Sequence, residues 1–179
     1  MTNGYAAARY DAVARTLHWL VAALAFSQLA MGKFAEVEPG EEGSLFIVHS
    51  GLGLLVLLLM LARLGWRLSH VVPPPPAPAP RWQNLVARLN HLAFYVLLIA
   101  LPLSGWLLAS AEGEAASFFG LFEVPALPVP GGEDSEDGIE EAHEVLGNVL
   151  LALAALHVLA ALKHHFIDRD DVLRRMLPP

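Results

Sequence analysis

Four stretches of this chain, roughly 16–34, 45–68, 89–110 and 142–167, are apolar for long enough to cross a bilayer, which takes about 20 such residues. That feature leaves few folds open. Inside hydrocarbon every backbone N–H and C=O must be bonded within the protein, so each stretch is expected as a helix. The chain is 55% hydrophobic with a mean hydropathy of +0.50, more than a soluble domain of this length carries. The first stretch is read as a span and not as a signal peptide. Three similar stretches follow it, and its flank lacks a short basic leader pattern.

The charges agree with four spans. With four, one side of the membrane holds Arg9, Arg15, Arg63, Arg67, Arg81, Arg88, Lys163, Arg169, Arg174 and Arg175, ten of the eleven cations. Only Lys33 lies opposite, against fourteen of the eighteen carboxylates, a net of −13. The positive-inside rule makes the cationic side cytoplasmic, with both termini there. The expected fold is an all-α, up-down four-helix membrane bundle, a single domain over 1–179, multi-pass in its membrane. Lipid is its surrounding partner, and no nucleic-acid partner is expected.

Cysteine is absent. That excludes disulfides, thiolate metal sites, iron–sulfur clusters and covalent haem attachment. Histidine is then the residue that carries chemistry. Ionisable side chains within spans are functional candidates by default, and four of the eight histidines fall into layers. His143 opens helix four on the outer side and His157 follows fourteen residues later, about 21 Å deeper and about 40° around the helix. His18 enters helix one at the depth of His157, and His49 opens helix two at the depth of His143. Two cross-helix pairs at two depths, His18/His157 and His49/His143, are what two b-type haems with two histidine ligands each require. Position i+4 after these histidines is small, namely Ala22, Gly53, Gly147 and Ala161, which leaves room for a porphyrin. A histidine-lined metal or ion transporter is the rival reading, but no span carries an Asp or Glu near its middle.

The segments "RYDAVARTLHWLVA", "HSGLGLLVLLLMLARLGWRL", "LNHLAFYVLLIALPLSGW" and "HEVLGNVLLALAALHVLAALKHHF", with "VLRRMLP" after them, run in order through the chain. Together they resemble the bacterial cytochrome b561 family, related to the cytochrome b subunits of nickel–iron hydrogenases. The resemblance implies a dihaem membrane protein that exchanges electrons with ubiquinone in the respiratory chain. Its ligands carry over to His18 and His157 for the cytoplasmic-side haem and to His49 and His143 for the outer haem. It also implies a quinone contact at His164 and, as an activity, an oxidoreductase passing electrons from superoxide to quinone. An anchor subunit of a larger dehydrogenase or hydrogenase is the alternative within electron transfer.

Several residues remain open at this level. Arg15, one turn before His18, is placed either to pair with a haem propionate or to act as a cytoplasmic anchor. His91 faces the layer of His157 and is expected to contact a propionate or quinone, or to anchor its helix. His70 is expected to be solvated. The net of −13 outside should slow superoxide, an anion, and attract a basic redox protein. Glu133, Ser135, Asp137, Gly138 and Glu144 match part of a calcium-loop pattern, with a solvated acidic loop as the default. "VVPPPPAPAP" is expected to be a stiff, extended spacer, a partner-recognition segment being the sharper alternative.

Overall fold

The computed structural model describes residues 9–35, 44–74, 80–129 and 132–177. Four helices account for most of them: α1 (Ala12–Phe34), α2 (Ser44–Ser69), α3 (Arg81–Ala111) and α4 (Glu133–Lys163). All four are long and apolar enough to span a membrane. Each packs mainly on its neighbours in the chain, α1 on α2, α2 on α3 and α3 on α4, the up-down arrangement that short connections favour. A strap at the C-terminus returns to the start of α1. Trp19 Nε1 donates to the Met176 carbonyl at 2.7 Å and Arg15 Nη1 to the Leu177 carbonyl at 2.8 Å. The two chain ends therefore share one end of the bundle, here the strap end; the α3–α4 connection marks the other, the hairpin end.

α1 starts four residues earlier than its apolar stretch suggests, at Ala12, and α3 and α4 start earlier still. α3 begins at Arg81, directly after Pro80. Trp82, Leu85, Val86 and Leu89 recur at helical spacing, but the charges between them mask the signal in a hydropathy window. α4 begins at Glu133, and its first turn carries Glu133, Asp134 and Glu136, which suit the positive end of the helix dipole. This corrects the calcium-loop expectation. Glu133 through Glu144 lie on continuous helix, whereas a calcium loop must curl its backbone around the ion. α4 also ends sooner, and His164–Asp168 form a π-helical turn closed by Arg169 at φ 55°. In the proline tract, Val71–Pro74 carry no regular structure, and residues 75–79 lie outside the described residues.

The packed interior is small: Val21, Val56, Met60, Leu97, Leu98 and Leu150 form one buried cluster near mid-bundle. Large apolar side chains such as Leu20, Phe26, Leu58, Leu61 and Leu159 are exposed instead, as a lipid-facing surface requires.

At the strap end, Asp11 caps α1 by accepting from the Ala14 N–H at 2.8 Å, and Trp66 Nε1 of α2 donates to the same carboxylate at 3.1 Å. These bonds, with the Ala14 N–H foremost, hold the Asp11 carboxyl below its ordinary value of 3.8. The capping contribution is therefore complete above about pH 4 and fades as pH falls through the lowered value. Asp11→Ala is expected to cost about 1 kcal/mol at pH 7. Thermal unfolding in detergent should show that difference at pH 7 and a smaller one at pH 3; an equal difference at both would exclude the charged cap.

Candidate functional site

α1, α2 and α4 carry the layered histidines, and the structure brings the expected pairs together. The rings of His18 and His157 lie 6.3 Å apart between centroids, and those of His49 and His143 lie 6.4 Å apart. Two imidazoles bonded through one metal at about 2 Å each place their centroids about 6 Å apart. Each pair lines its own cleft. The one at the hairpin end encloses about 1040 Å³ of atom-free space, counting its open mouth, and the one at the strap end about 710 Å³. Both are lined mostly by apolar side chains, with the histidines among the few polar groups. Ala25, Leu29, Leu98 and Leu150 line both clefts and form the wall between them.

The hairpin-end site is shaped by α3. Ser104 Oγ donates to the Leu101 carbonyl at 2.9 Å and lies 2.8 Å from His143 Nδ1. A hydroxyl whose proton is spent on a carbonyl must accept from its second partner. His143 is thereby protonated at Nδ1, and Nε2 keeps its lone pair. This is the arrangement in which a ligating histidine is oriented through its other nitrogen. Gly105 lets the ring approach, since a Cβ there would sit 3.2 Å from His143 Cε1. Gln28 of α1 donates to the His49 carbonyl at 2.9 Å, while His49 Nδ1 is buried without a partner. Ser104, Gly105 and Gln28 were not singled out from sequence; the trace they leave is "PLSGW", a proline with small residues inside a span. Of the small i+4 residues, Gly53, Gly147 and Ala22 line the clefts and Ala161 does not.

At the strap end three histidines converge. His91 lies 6.1 Å from His157, as near as His18. It differs in bonding the Ala87 carbonyl of its own helix, whereas no hydrogen bond engages His18 or His157 among the described residues. Arg63 lines this cleft, and its guanidinium reaches only the Ala14 carbonyl, at 3.4 Å. Among the described residues no carboxylate pairs with it. Arg15 is placed differently from the propionate expectation: it lies outside the cleft lining and anchors the C-terminal strap. Arg63, about five turns along α2, lines that cleft instead, which a reading by helix order could not place.

His164 lines neither cleft. It sits half-buried in the π-helical turn with Nδ1 2.6 Å from Asp170 Oδ2 and 3.4 Å from Asp168 Oδ2. Lys163 holds Asp168 at 2.6 Å. A carboxylate only accepts, so His164 is protonated at Nδ1 and presents Nε2. His70 is exposed, as expected, and stacks on Trp66 at 3.7 Å.

Comparison with known proteins agrees with this geometry. The family described as prokaryotic cytochrome b561 matches residues 9–179. "Cytochrome b561 homolog 2" of Escherichia coli K12 is 36% identical over 94% of this chain and 91% of its own length. "Cytochrome b561 homolog 1" of the same organism is 35% identical over 90% and 93%. "Probable superoxide oxidase CybB" of Yersinia pestis is 32% identical over 95% and 96%. The chain is a bacterial multi-pass membrane protein with a cytochrome b electron-transfer role, and it belongs to the prokaryotic cytochrome b561 family.

Proposed function

We propose that the chain binds two b-type haems, one in each cleft, and passes electrons between a donor at the hairpin end and ubiquinone at the strap end, the strap end being cytoplasmic. The observation that carries this reading is the repeated imidazole pair. Polar side chains inside a bundle need partners, yet among the described residues no hydrogen bond engages the His18 and His157 rings, and His143 is held only from α3, by Ser104 and the Leu101 backbone. Nitrogens left open in matched pairs, at the separation one metal would span, fit a haem with two histidine ligands. The family supplies haem b as the group. When bound, the haems supply one-electron storage.

The remaining roles follow from the side chains. His18 with His157, and His49 with His143, hold iron, and Ser104 fixes the His143 ring. Arg63 pairs with a propionate in the strap-end cleft. At the hairpin-end mouth Lys33 and Glu144 face one another's cleft with opposite charge, so little local field remains to offset the net of −13 outside. That balance favours a cationic donor over superoxide, although one relative is named for superoxide oxidation. His164 Nε2 is presented to accept from a quinol hydroxyl, with Asp170 holding the ring through Nδ1.

The purified protein should yield two haems per chain by pyridine haemochrome assay. His49→Ala and His143→Ala should lose the same one, and His18→Ala and His157→Ala the other. His91→Ala should retain both; loss of a haem there, with retention in His18→Ala, would reassign the His157 partner.

Arg63→Gln should shift the midpoint potential of the strap-end haem downward, because a cation beside a propionate stabilises the reduced, less positive state. Arg15→Gln should leave that potential near wild type. Redox titration followed optically separates the two, and an equal shift in both would remove Arg63 from the propionate.

His164→Ala should keep both haems and slow their reduction by a quinol analogue about ten- to a hundredfold, the loss of about 1–3 kcal/mol from one hydrogen bond. Stopped-flow reduction at wild-type rate would take His164 out of the quinone site.

A further inference from the structure

We propose that the Phe118–Phe122 turn at the hairpin end is the docking surface for a small, lysine-rich redox protein, which meets the outer cleft there. This rests on the proposed electron-transfer reading and names the donor's chemistry.

The turn is built and held as a fixed element. Ser117 and Glu123 form an antiparallel bridge, with the Phe118 N–H bonded to the Phe122 carbonyl at 2.9 Å and the Val124 N–H to the Ala116 carbonyl at 2.8 Å. Phe119 and Gly120 both take positive φ, 55° and 72°, as in the tight turns that match strand twist. A bulky residue is strained there and stays only where its surroundings hold it. Phe119 is held against α2: a Cβ on Gly51 would lie 2.8 Å from its ring and its backbone nitrogen. Ser50, next to His49, donates to the Ser117 carbonyl at 3.2 Å and accepts from its N–H at 3.0 Å. Further along, Trp106 Nε1 donates to the Pro125 carbonyl at 3.1 Å, and the Leu127 N–H to Ser110 Oγ at 3.0 Å. Ala116, Ser50, His49 and Trp106 line the hairpin-end cleft. The turn is thus clamped to the wall of the cleft.

On its outer surface Phe122 stacks on Phe118 within the turn itself. Leu121 is 77% exposed and Phe122 58%. Carboxylates flank this apolar tip along the chain, Glu112 and Glu114 before it and Glu123 after it. Glu123 is exposed beside it, and Glu112, Glu114, Glu136 and Glu140 gather near enough that burial, and then Glu140, Glu136 and Glu114, push the Glu112 carboxyl above its ordinary value of 4.5. An apolar centre with a rim of one charge sign is the anatomy of a transient redox interface. The sign fixes the partner as cationic. Anionic lipid headgroups would be repelled by the same rim, so the bilayer fits the surface less well. One electron crosses the contact, the partner is oxidised, this chain is reduced, and no bond is made or broken.

The test uses the haem-loaded protein in nanodiscs of zwitterionic lipid. The probes are a basic cytochrome c and the same cytochrome c with its lysines acetylated, binding being read by interferometry. The native probe should bind with an affinity that falls steeply with salt, and the acetylated probe should bind at least about tenfold more weakly. Leu121→Ser with Phe122→Ser should weaken native-probe binding about tenfold at every salt concentration. Glu112→Gln, Glu114→Gln and Glu123→Gln combined should flatten the salt dependence. Equal binding of the two probes overturns the proposal, as does wild-type affinity in the double serine variant. Phe122→Trp quenched by brominated lipid, with probe binding unchanged, also overturns it and makes the turn a lipid foot. Haem content measured on the same samples keeps the outcomes apart, because missing haem counts against the two-haem reading while unaltered binding in the variants counts against the docking surface alone.

Discussion

Imidazoles facing each other across a gap inside an apolar bundle are the constraint on which the rest of this structure depends. A ring nitrogen in hydrocarbon needs a partner; His143 finds one in Ser104, but neither ring of a pair bonds the other. Had the histidines bonded one another, their helices would have closed up. Instead His18 and His157, and His49 and His143, stay more than 6 Å apart between ring centroids, and a cleft opens at each pair. Between those levels the helices pack through Val21, Val56, Met60, Leu97, Leu98 and Leu150. The buried core is correspondingly modest, with a cleft to either side of it.

The same layering explains where the polar auxiliaries lie. At the hairpin end α3 comes close at Gly105 and lends Ser104 to His143; Pro102, which lacks an N–H, leaves the helix ladder open just before them. At the strap end the auxiliaries are charged. Arg63 reaches inward from α2, while Arg15 and Trp19 are taken up by the carbonyls of the C-terminal strap. The strap thus divides the cations, fixing one as a structural anchor and leaving another at the cleft.

The fold and the histidine layers were legible because their signals are periodic. A span is a run of apolar residues, and depth follows from counting along it, so four helices and two pairs could be placed with no tertiary information. What could not be read depends on rotation and on loops. Arg15 and Arg63 are both arginines at the strap ends of their spans; which of them turns into the cleft depends on how α1 and α2 pack and on what the C-terminus covers. The acidic run from Glu133 looked like a loop because its carboxylates hide an amphipathic helix start. Ser104 gave no signal of its own, since a serine in a span usually bonds its own helix, as this one also does at Leu101. The Phe118–Phe122 turn was passed over because its meaning lies in the contact of Phe119 with Gly51, sixty-eight residues away in sequence.

Charge sorting, which decides topology during insertion, also bears on the direction of electron flow under the proposed function. A reduced haem carries one more negative charge than an oxidised one, so nearby cations favour the reduced state and nearby carboxylates oppose it. Arg63 faces the strap-end cleft, whereas at the hairpin end Glu144 offsets Lys33 at the cleft and the surrounding surface is acidic. An electron is therefore held more tightly at the strap end, and the gradient runs from the hairpin end inward across the shared wall of Ala25, Leu29, Leu98 and Leu150. The residues that orient the chain in the membrane thereby also give its redox path a direction, toward the end where His164 and Asp170 stand beside the aqueous phase and protons for a quinone are at hand.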